Sequence, residues 1–144
     1  MPVRPLSEVA VGDVIGPVTV PVARETLVAY ANASLDQNPI HQDEEFARSV
    51  GLPDVIAHGM WTMGASGTIV ADWAGDAGRV VEFGTRFTRP VEVPVDGNEI
   101  VVQGLVKAVD PDTGRVTVDV TTTCGGDKVL GRCIAVPDGR RRDA

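Results

Sequence analysis

The sequence is poor in the residues that most often bind metals. Its 144 residues include two histidines and two cysteines, and none of these four has the spacing of a zinc site. Cys124 and Cys133 stand alone on neighbouring strand-like segments, so we interpret them as small buried hydrophobic residues. The cysteine and histidine content therefore gives no reason to expect a resident metal.

Positive charge and long apolar runs are scarce as well. Thirteen Lys and Arg against 20 Asp and Glu give a net charge of -7, which argues against binding to a nucleic-acid backbone. The longest uncharged apolar stretch, residues 57–71, is shorter than the roughly 20 residues that span a bilayer. The N-terminus lacks the apolar core of a signal peptide. We therefore expect a cytoplasmic protein that binds neither nucleic acid nor membrane.

The length and composition are those of one soluble domain. A chain with 43% apolar and 23% charged residues is large enough here to bury a hydrophobic core. The basic run Arg140-Arg141-Arg142 lies close to the C-terminus, and we interpret it as part of a flexible tail from about residue 138. The sequence predicts a single domain over residues 1–144.

The first half of the chain has mainly helical patterns. A short strand is predicted over residues 18–20, and helical spacing follows over 21–32 and 44–50, with Asp43 as the N-cap of the second helix. Residues 58–73 are apolar on nearly all sides of a helix, which predicts a buried helix.

The second half is rich in Val, Thr and Ile, with turn residues between the rich stretches. Four strands are predicted in an antiparallel meander, over residues 80–88, 99–109, 115–123 and 128–136. Together the two halves predict an α+β fold in which a long curved antiparallel sheet wraps around a central buried helix. Because such a sheet leaves unpaired edges, we expect a dimer.

The stretch from Ser34 to Met60 contains both histidines and the strongest signs of chemistry. Asp36 and His41 stand five residues apart in a loop, and a proline between them can turn the chain so that both side chains reach one pocket. A carboxylate and an imidazole around one water form a general acid/base pair. The alternative interpretation is a local turn closed by the aspartate, followed by a surface histidine.

The predicted buried helix begins beside His58 and Gly59. Free N–H groups at a helix N-terminus stabilise a developing oxyanion, and a glycine there lets a carbonyl approach the backbone. The alternative is an ordinary helix start in which His58 is a satisfied, half-buried residue. A mixed metal site of Asp36, His41, Asp43 and His58 is a further alternative, but two histidines in this pattern are a poor zinc signature.

Two segments resemble a known motif. S-L-D-Q-N-P-I-H-Q-D over residues 34–43 and A-H-G-M over 57–60 resemble the hydratase motif of the MaoC-like family. These are (R)-specific enoyl-thioester hydratases and (3R)-hydroxyacyl-thioester dehydratases with a single hotdog fold. The segments 51–64 and 80–91 are most similar to the short β-type subunits of actinobacterial fatty-acid and mycolic-acid dehydratases.

The resemblance implies reversible syn dehydration or hydration of a (3R)-hydroxyacyl or trans-2-enoyl thioester of CoA or acyl carrier protein. Asp36 and His41 would hold one water, and the N–H of Gly59 would polarise the thioester carbonyl. The resemblance implies no redox cofactor and no metal, and the pantetheine arm of CoA or acyl carrier protein is part of the substrate. The acyl chain would pass along the buried helix, and the substrate-binding residues implied are Asn38, His58, Met60, Met63, Gly64 and Gly67.

One residue departs from the family pattern. Leu35 stands where the family usually has glycine before the catalytic aspartate. If this position needs positive φ, the leucine is strained; if it does not, the leucine fills space in or beside the pocket. The alternatives left open are a homodimeric enzyme, a catalytic subunit active only with a different hotdog partner, and a non-enzymatic subunit that binds acyl thioesters. A hotdog thioesterase fits less well, because those enzymes place their carboxylate differently.

Overall fold

The computed structural model describes residues 3–140. One long helix and an antiparallel sheet form most of the fold. The elements are β1 (Val14–Val22), α1 (Arg24–Ser34), α2 (Glu44–Ser49), α3 (Gly59–Ala74), β2 (Val80–Phe87), β3 (Asn98–Val109), β4 (Val116–Cys124), β5 (Asp127–Lys128) and β6 (Leu130–Pro137).

The sheet packs one face against α3. The strand order is β1-β3-β4-β6-β2, all neighbours are antiparallel, and the short β5 pairs with β4. Burial alternates along β4, whose Val116, Val118, Val120 and Thr122 are buried, as expected for a strand with one covered face. Helix α3 contacts β1, β2, β3, β4 and β6, so the predicted α+β fold is confirmed.

The predicted meander is wrong at β2. This strand pairs with β6 at the far edge of the sheet, whereas β3 pairs with β1 and β4. The connection from β2 to β3 is no tight hairpin, because it pairs instead with the segment that leads into α3. Its Val91 carbonyl accepts from Ala57 N–H at 2.8 Å, and its Val93 N–H donates to Val55 O at 2.9 Å. This connection therefore holds the approach to α3 in place.

The prediction that α3 is buried on all sides is wrong for this chain alone. The side of α3 toward the sheet is buried through Thr62, Ser66, Ile69, Val70 and Ala74, whereas the Met60 side chain is 58% exposed. One sheet covers only one side of a helix. The opposite side is left as a groove of about 810 Å³ between α3 and β1, which we call the α3–β1 groove; its lining includes Val18, Tyr30, Met60, Trp61 and Gly64.

Strand β1 is longer than predicted, and it includes residues 21 and 22, which were predicted to begin the helix. Pro21 and Val22 pair with Glu99 and Asn98 of β3, which is compatible with proline because β1 lies at the edge of the sheet. Helix α1 consequently begins at Arg24. The sheet pairing thus overrides the helical spacing of residues 21–23.

The C-terminal segment is attached further than expected. Asp138 N–H donates to Arg79 O at 2.8 Å, and Gly139 N–H donates to Gly114 O at 2.6 Å, so residues 138 and 139 do not belong to the predicted tail. The rest of that prediction, residues 141–144, lies outside the described residues. Within residues 3–140, no helix combines the length and the apolar character that crossing a membrane requires.

Candidate active site

The loop between α1 and α2 is fixed by its own side chains. Leu35 ends α1 with φ +67°, which turns the chain toward Asp36. The Asp36 carboxylate accepts from Asn38 N–H, and the Asn38 side chain accepts from Ile40 N–H, both at 3.2 Å. A single 3-10 turn over Pro39–His41 follows. The local turn at Asp36 is therefore real, and it sets the direction in which His41 leaves the loop.

His41 is a buried residue with one hydrogen-bonding nitrogen already used. It is 7% exposed, so the alternative of a surface histidine is wrong. Its Nδ1 lies 2.6 Å from the Ile56 carbonyl oxygen. Because a carbonyl only accepts, Nδ1 carries the hydrogen and Nε2 is left as the basic nitrogen.

The surroundings of His41 favour its neutral form. Burial is the largest effect and lowers the pKa of His41 below the usual 6.5, while the hydrogen bond to Ile56 acts against it. Nearby His58 lowers the pKa further, and Asp36 raises it. The net shift is downward, so the Nε2 lone pair is available to accept a proton at neutral pH.

His58 lies against both predicted acid/base residues. Its ring stacks on His41 with centroids 3.7 Å apart and planes inclined by 23°, and its Nε2 lies 3.0 Å from the backbone oxygen of Asp36. One side-chain nitrogen or oxygen from each of Asp36, His41 and His58 lies within 4.8 Å of the others. The structure thus brings together the three groups from positions 36, 41 and 58.

The same three residues could be read as a metal site, but the ring geometry fits poorly. Lone pairs of stacked rings inclined by 23° lie in nearly parallel planes, so they do not converge on one ion at the roughly 2 Å that zinc requires. Asp43 is not part of the group, because its carboxylate accepts from Phe46 N–H and caps α2. The absence of a metal stays a prediction.

Helix α3 begins at Gly59, beside a small cavity. His58 is the N-cap and makes no capping hydrogen bond with its side chain. Its backbone oxygen accepts from Trp61 N–H at 3.0 Å, so the N–H groups of Gly59 and Met60 are the ones that the helix leaves without a partner. A Cβ at Gly59 would lie 3.0 Å from the Phe87 ring, which explains the glycine. The cavity of about 290 Å³ is lined by residues that include His41, Gly59, Thr62, Phe87 and Arg89.

The other predicted substrate-binding residues are divided between two sides of α3. Met60 and Gly64 line the α3–β1 groove, whereas a Cβ at Gly67 would lie 2.7 Å from the ring of Phe83 in β2. Met63 is half-buried. A single path past both glycines is therefore not formed by this chain, and Gly67 is explained by its packing against Phe83.

Sequence reasoning missed several residues of the site. Thr62 is buried and lines the small cavity, and its position one turn after His58 could have indicated this. The Ile56 carbonyl that orients His41 and the Tyr30 ring 4.7 Å from His58 come from segments distant in sequence. No local signal could have found those two contacts.

The sequence was compared with protein-family models and with curated proteins, and both comparisons found matches. The family model described as "MaoC like domain" matches residues 8–125. The "3-hydroxyacyl-thioester dehydratase X" of Mycobacterium tuberculosis is 36% identical over 75 residues, which cover 52% of this chain and 26% of that protein. The chain thus matches only about a quarter of the length of this curated relative.

Solved structures match over nearly the whole chain. A "MaoC-like dehydratase" superposes with a TM-score of 0.93 at 37% identity, over 96% of this chain and 43% of the other. R-hydratase PhaJ1 from Pseudomonas aeruginosa superposes with a TM-score of 0.82 at 26% identity, over 95% and 86%. A chain of the HadBC complex from Mycobacterium tuberculosis shares the fold at 20% identity and a TM-score of 0.69, over 90% and 98%. The predicted hotdog fold is confirmed.

Proposed function

We propose, since this chain belongs to the MaoC-like domain family, that it is a hydro-lyase acting on acyl thioesters. The reaction is reversible syn hydration of a trans-2-enoyl thioester to the (3R)-hydroxyacyl thioester, with CoA or acyl carrier protein as the carrier. The names of a sequence relative and of a structural neighbour, a 3-hydroxyacyl-thioester dehydratase and an R-hydratase, support this class of reaction.

The observation that carries the proposal is the meeting of Asp36 and His41. Their side-chain ligand atoms lie within 4.8 Å of each other, which leaves room for one water shared between them. The hydrogen on Nδ1 of His41 is held by Ile56 O, so Nε2 is the nitrogen that faces this chemistry. Pro39 restricts the backbone of the loop and so holds the Asp36 and His41 side chains in a fixed relative position.

The proposed mechanism uses the pair and the start of α3. In hydration, Asp36 and His41 orient the water, and Nε2 of His41 takes one of its protons as its oxygen adds to Cβ. The same proton is then passed to Cα on the same face, which returns His41 to its neutral form. Negative charge develops on the thioester oxygen, and the N–H of Gly59 with the positive end of the α3 dipole stabilises it. Dehydration runs the same steps in reverse, and neither direction requires a metal or a redox cofactor.

A second candidate is a catalytic subunit that needs a different hotdog partner. Two observations favour it: Asp36 is exposed in the single chain, and the α3–β1 groove is open along α3. A partner subunit that covered this side would exclude water from the site and complete the acyl path. In that case the pair in this chain supplies the chemistry and the partner supplies substrate binding.

The test is hydration of crotonyl-CoA by the purified protein, followed as loss of the enoyl-thioester absorbance. We expect turnover, and we expect Asp36→Asn and His41→Ala each to lower kcat by about 100- to 10,000-fold, because each removes a proton-transfer group. Glu45→Gln is the matched control, because it changes an exposed carboxylate on the neighbouring helix α2. Near-full turnover in either catalytic variant would remove the proposed roles.

If the purified chain is inactive, two further results distinguish the remaining alternatives. Activity gained on co-expression with another hotdog subunit would establish the second candidate. Binding of crotonyl-CoA without turnover in either case would instead identify a non-enzymatic thioester-binding subunit. Titration calorimetry with crotonyl-CoA separates this last outcome from a protein that does not bind thioesters.

A further inference from the structure

His58 combines features that an ordinary N-cap residue does not have. N-cap side chains usually accept a hydrogen bond from the first turn of their helix, whereas the His58 side chain makes no such bond. Its ring is instead 2% exposed and lies in the interior. The residue therefore has a use for its imidazole other than capping α3.

The first contact of the ring is with the loop that carries Asp36. Nε2 of His58 lies 3.0 Å from the backbone oxygen of Asp36, and since that oxygen only accepts, Nε2 is the donor. The contact joins residues 22 positions apart in the chain. It fixes the backbone directly at the aspartate, whereas the other distant contacts of the loop, from Ile56 to Ile40 O and to His41 Nδ1, lie further along it.

The second contact is with His41. The His58 ring covers one face of the His41 imidazole at 3.7 Å, while Tyr30 contacts the His58 ring at 4.7 Å. The stacking sets the plane of the His41 ring, and the hydrogen bond to Ile56 sets its rotation within that plane. With both fixed, the direction of the His41 Nε2 lone pair is determined.

We propose that His58 is a positioning residue that holds Asp36 and His41 in their relative arrangement next to the first N–H groups of α3. This inference rests on the proposed hydro-lyase function. His58 joins the three parts of the site because its ring contacts the loop and His41, while its backbone leads directly into Gly59. Its own proton takes no part in the reaction: Nε2–H is used on Asp36 O, and Nδ1 is buried with no partner among the described residues.

Two substitutions separate the two contacts. His58→Phe keeps a ring against His41 and loses the donor to Asp36 O; His58→Gln keeps an amide donor near the position of Nε2 and loses the ring. We expect the phenylalanine variant to lower kcat for crotonyl-CoA hydration about 100-fold, the loss that misplacing a reacting group by about 1 Å can cause. We expect KM to change less than about threefold and the glutamine variant to recover part of the loss.

The pH dependence of kcat/KM is the measurement that a purely structural role of His58 would leave unchanged. The groups facing His41 are Asp36, His58, the Ile56 carbonyl and Arg89 at the cavity, and His58 is one that lowers the pKa of His41. The acidic limb of kcat/KM, and the His41 titration followed by NMR, should therefore move to higher pH in both variants. Thr122→Val is the control, since it removes a buried 2.7 Å hydrogen bond to Ser66 about two turns along α3 from His58.

The outcomes distinguish this inference from the proposed function. A wild-type protein that is inert toward thioesters overturns the function, and the His41 titration then decides the inference by itself. A folded His58→Phe variant with kcat within threefold of wild type, or an unmoved His41 titration, overturns the positioning role. If both variants fail to fold, His58 is a core residue and the proposal falls as well.

Discussion

Leu35 occupies a backbone conformation that leucine rarely adopts. Its φ is +67° and its side chain is 83% exposed, so within residues 3–140 the leucine neither fills the small cavity nor is buried against other side chains. Position 35 therefore needs a positive φ, which was one of the two possibilities raised by the sequence, and the leucine is strained.

We expect Leu35→Gly to stabilise the protein by up to about 1 kcal/mol. The left-handed conformation costs a residue with a Cβ roughly 1–2 kcal/mol, and part of this gain is offset by the greater freedom of glycine in the unfolded chain. Thermal unfolding should show a rise in Tm of about 2–4 °C. Leu35→Ala keeps the Cβ and is the control that should show no rise. A lower Tm or a large loss of turnover in the glycine variant would mean that the leucine side chain makes a needed contact in the assembled protein.

The buried state of His41 predicts how activity depends on pH. His41 must be neutral to accept a proton, and its pKa lies below 6.5 mainly because of burial. The acidic limb of kcat/KM should therefore fall below pH 6.5, where a solvent-exposed histidine would already be half protonated. Titration of the His41 ring by NMR should give the same pKa as this limb. A limb at or above 6.5 would contradict the assignment of His41 as the base.

The same shift affects stability, with a definite sign. Between the folded pKa of His41 and about 6.5, the unfolded chain binds a proton that the folded chain does not, so the free energy of unfolding falls as the pH is lowered through this window. Urea unfolding at pH 7.5 and pH 5.5 measures the difference. His41→Gln should reduce the pH dependence in this window.

Helix α3 is the element around which the fold and the site are arranged, and its glycines serve different purposes. Gly59 and Gly67 meet the rings of Phe87 and Phe83, whereas nothing lies within 4 Å of a Cβ placed at Gly64. The resemblance to the family implied an acyl chain passing along this helix, with Gly64 and Gly67 among the substrate-binding residues. The partner at each glycine depends on the register of β2 beside α3, which the sequence does not give.

Opposite stability changes are expected at two of these glycines. Gly64→Ala should stabilise the protein by about 1 kcal/mol, since alanine is the better helix former and the space is open. Gly67→Ala should destabilise it by about 1–3 kcal/mol through overpacking against Phe83. Thermal unfolding of the two variants side by side is the measurement. Equal changes would show that both faces of α3 are covered in the assembled protein.

At the scale of the whole molecule, the open side of α3 is the feature that a single chain leaves unexplained. Exposed apolar side chains there include Val18 and Met60, and β1 and β2 end the strand order of the sheet. An apolar groove and free sheet edges are costly to leave in water. The sequence-based expectation of a dimer therefore stands on the structure's open surfaces as well as on the pattern.

We expect sedimentation equilibrium to give at least a dimer at micromolar concentration. Met60→Glu should weaken association, because it places a charge on the apolar groove. Val95→Glu is the matched control, since Val95 is a similarly exposed apolar residue (76%) in a turn away from that groove. A monomeric wild type would show that a second copy of this chain does not cover the groove.

The sequence by itself determined the α+β class, the four long strands of the second half and the catalytic candidates of the loop. These follow from local chemistry: hydrophobic periodicity, turn residues and a run in which Asp36, Pro39 and His41 are close in sequence. It also indicated the start of α3 through His58 and Gly59, where residue type and helix position carry the signal.

Only the tertiary structure decided what depends on contacts between distant segments. The pairing of β2 with β6, the side of α3 left open, and the contacts of Ile56 with His41 and of His58 with Asp36 join parts of the chain whose spacing carries no such information. Local pattern fixes which residues form an element, but the packing of one sheet on one helix fixes which of their atoms meet.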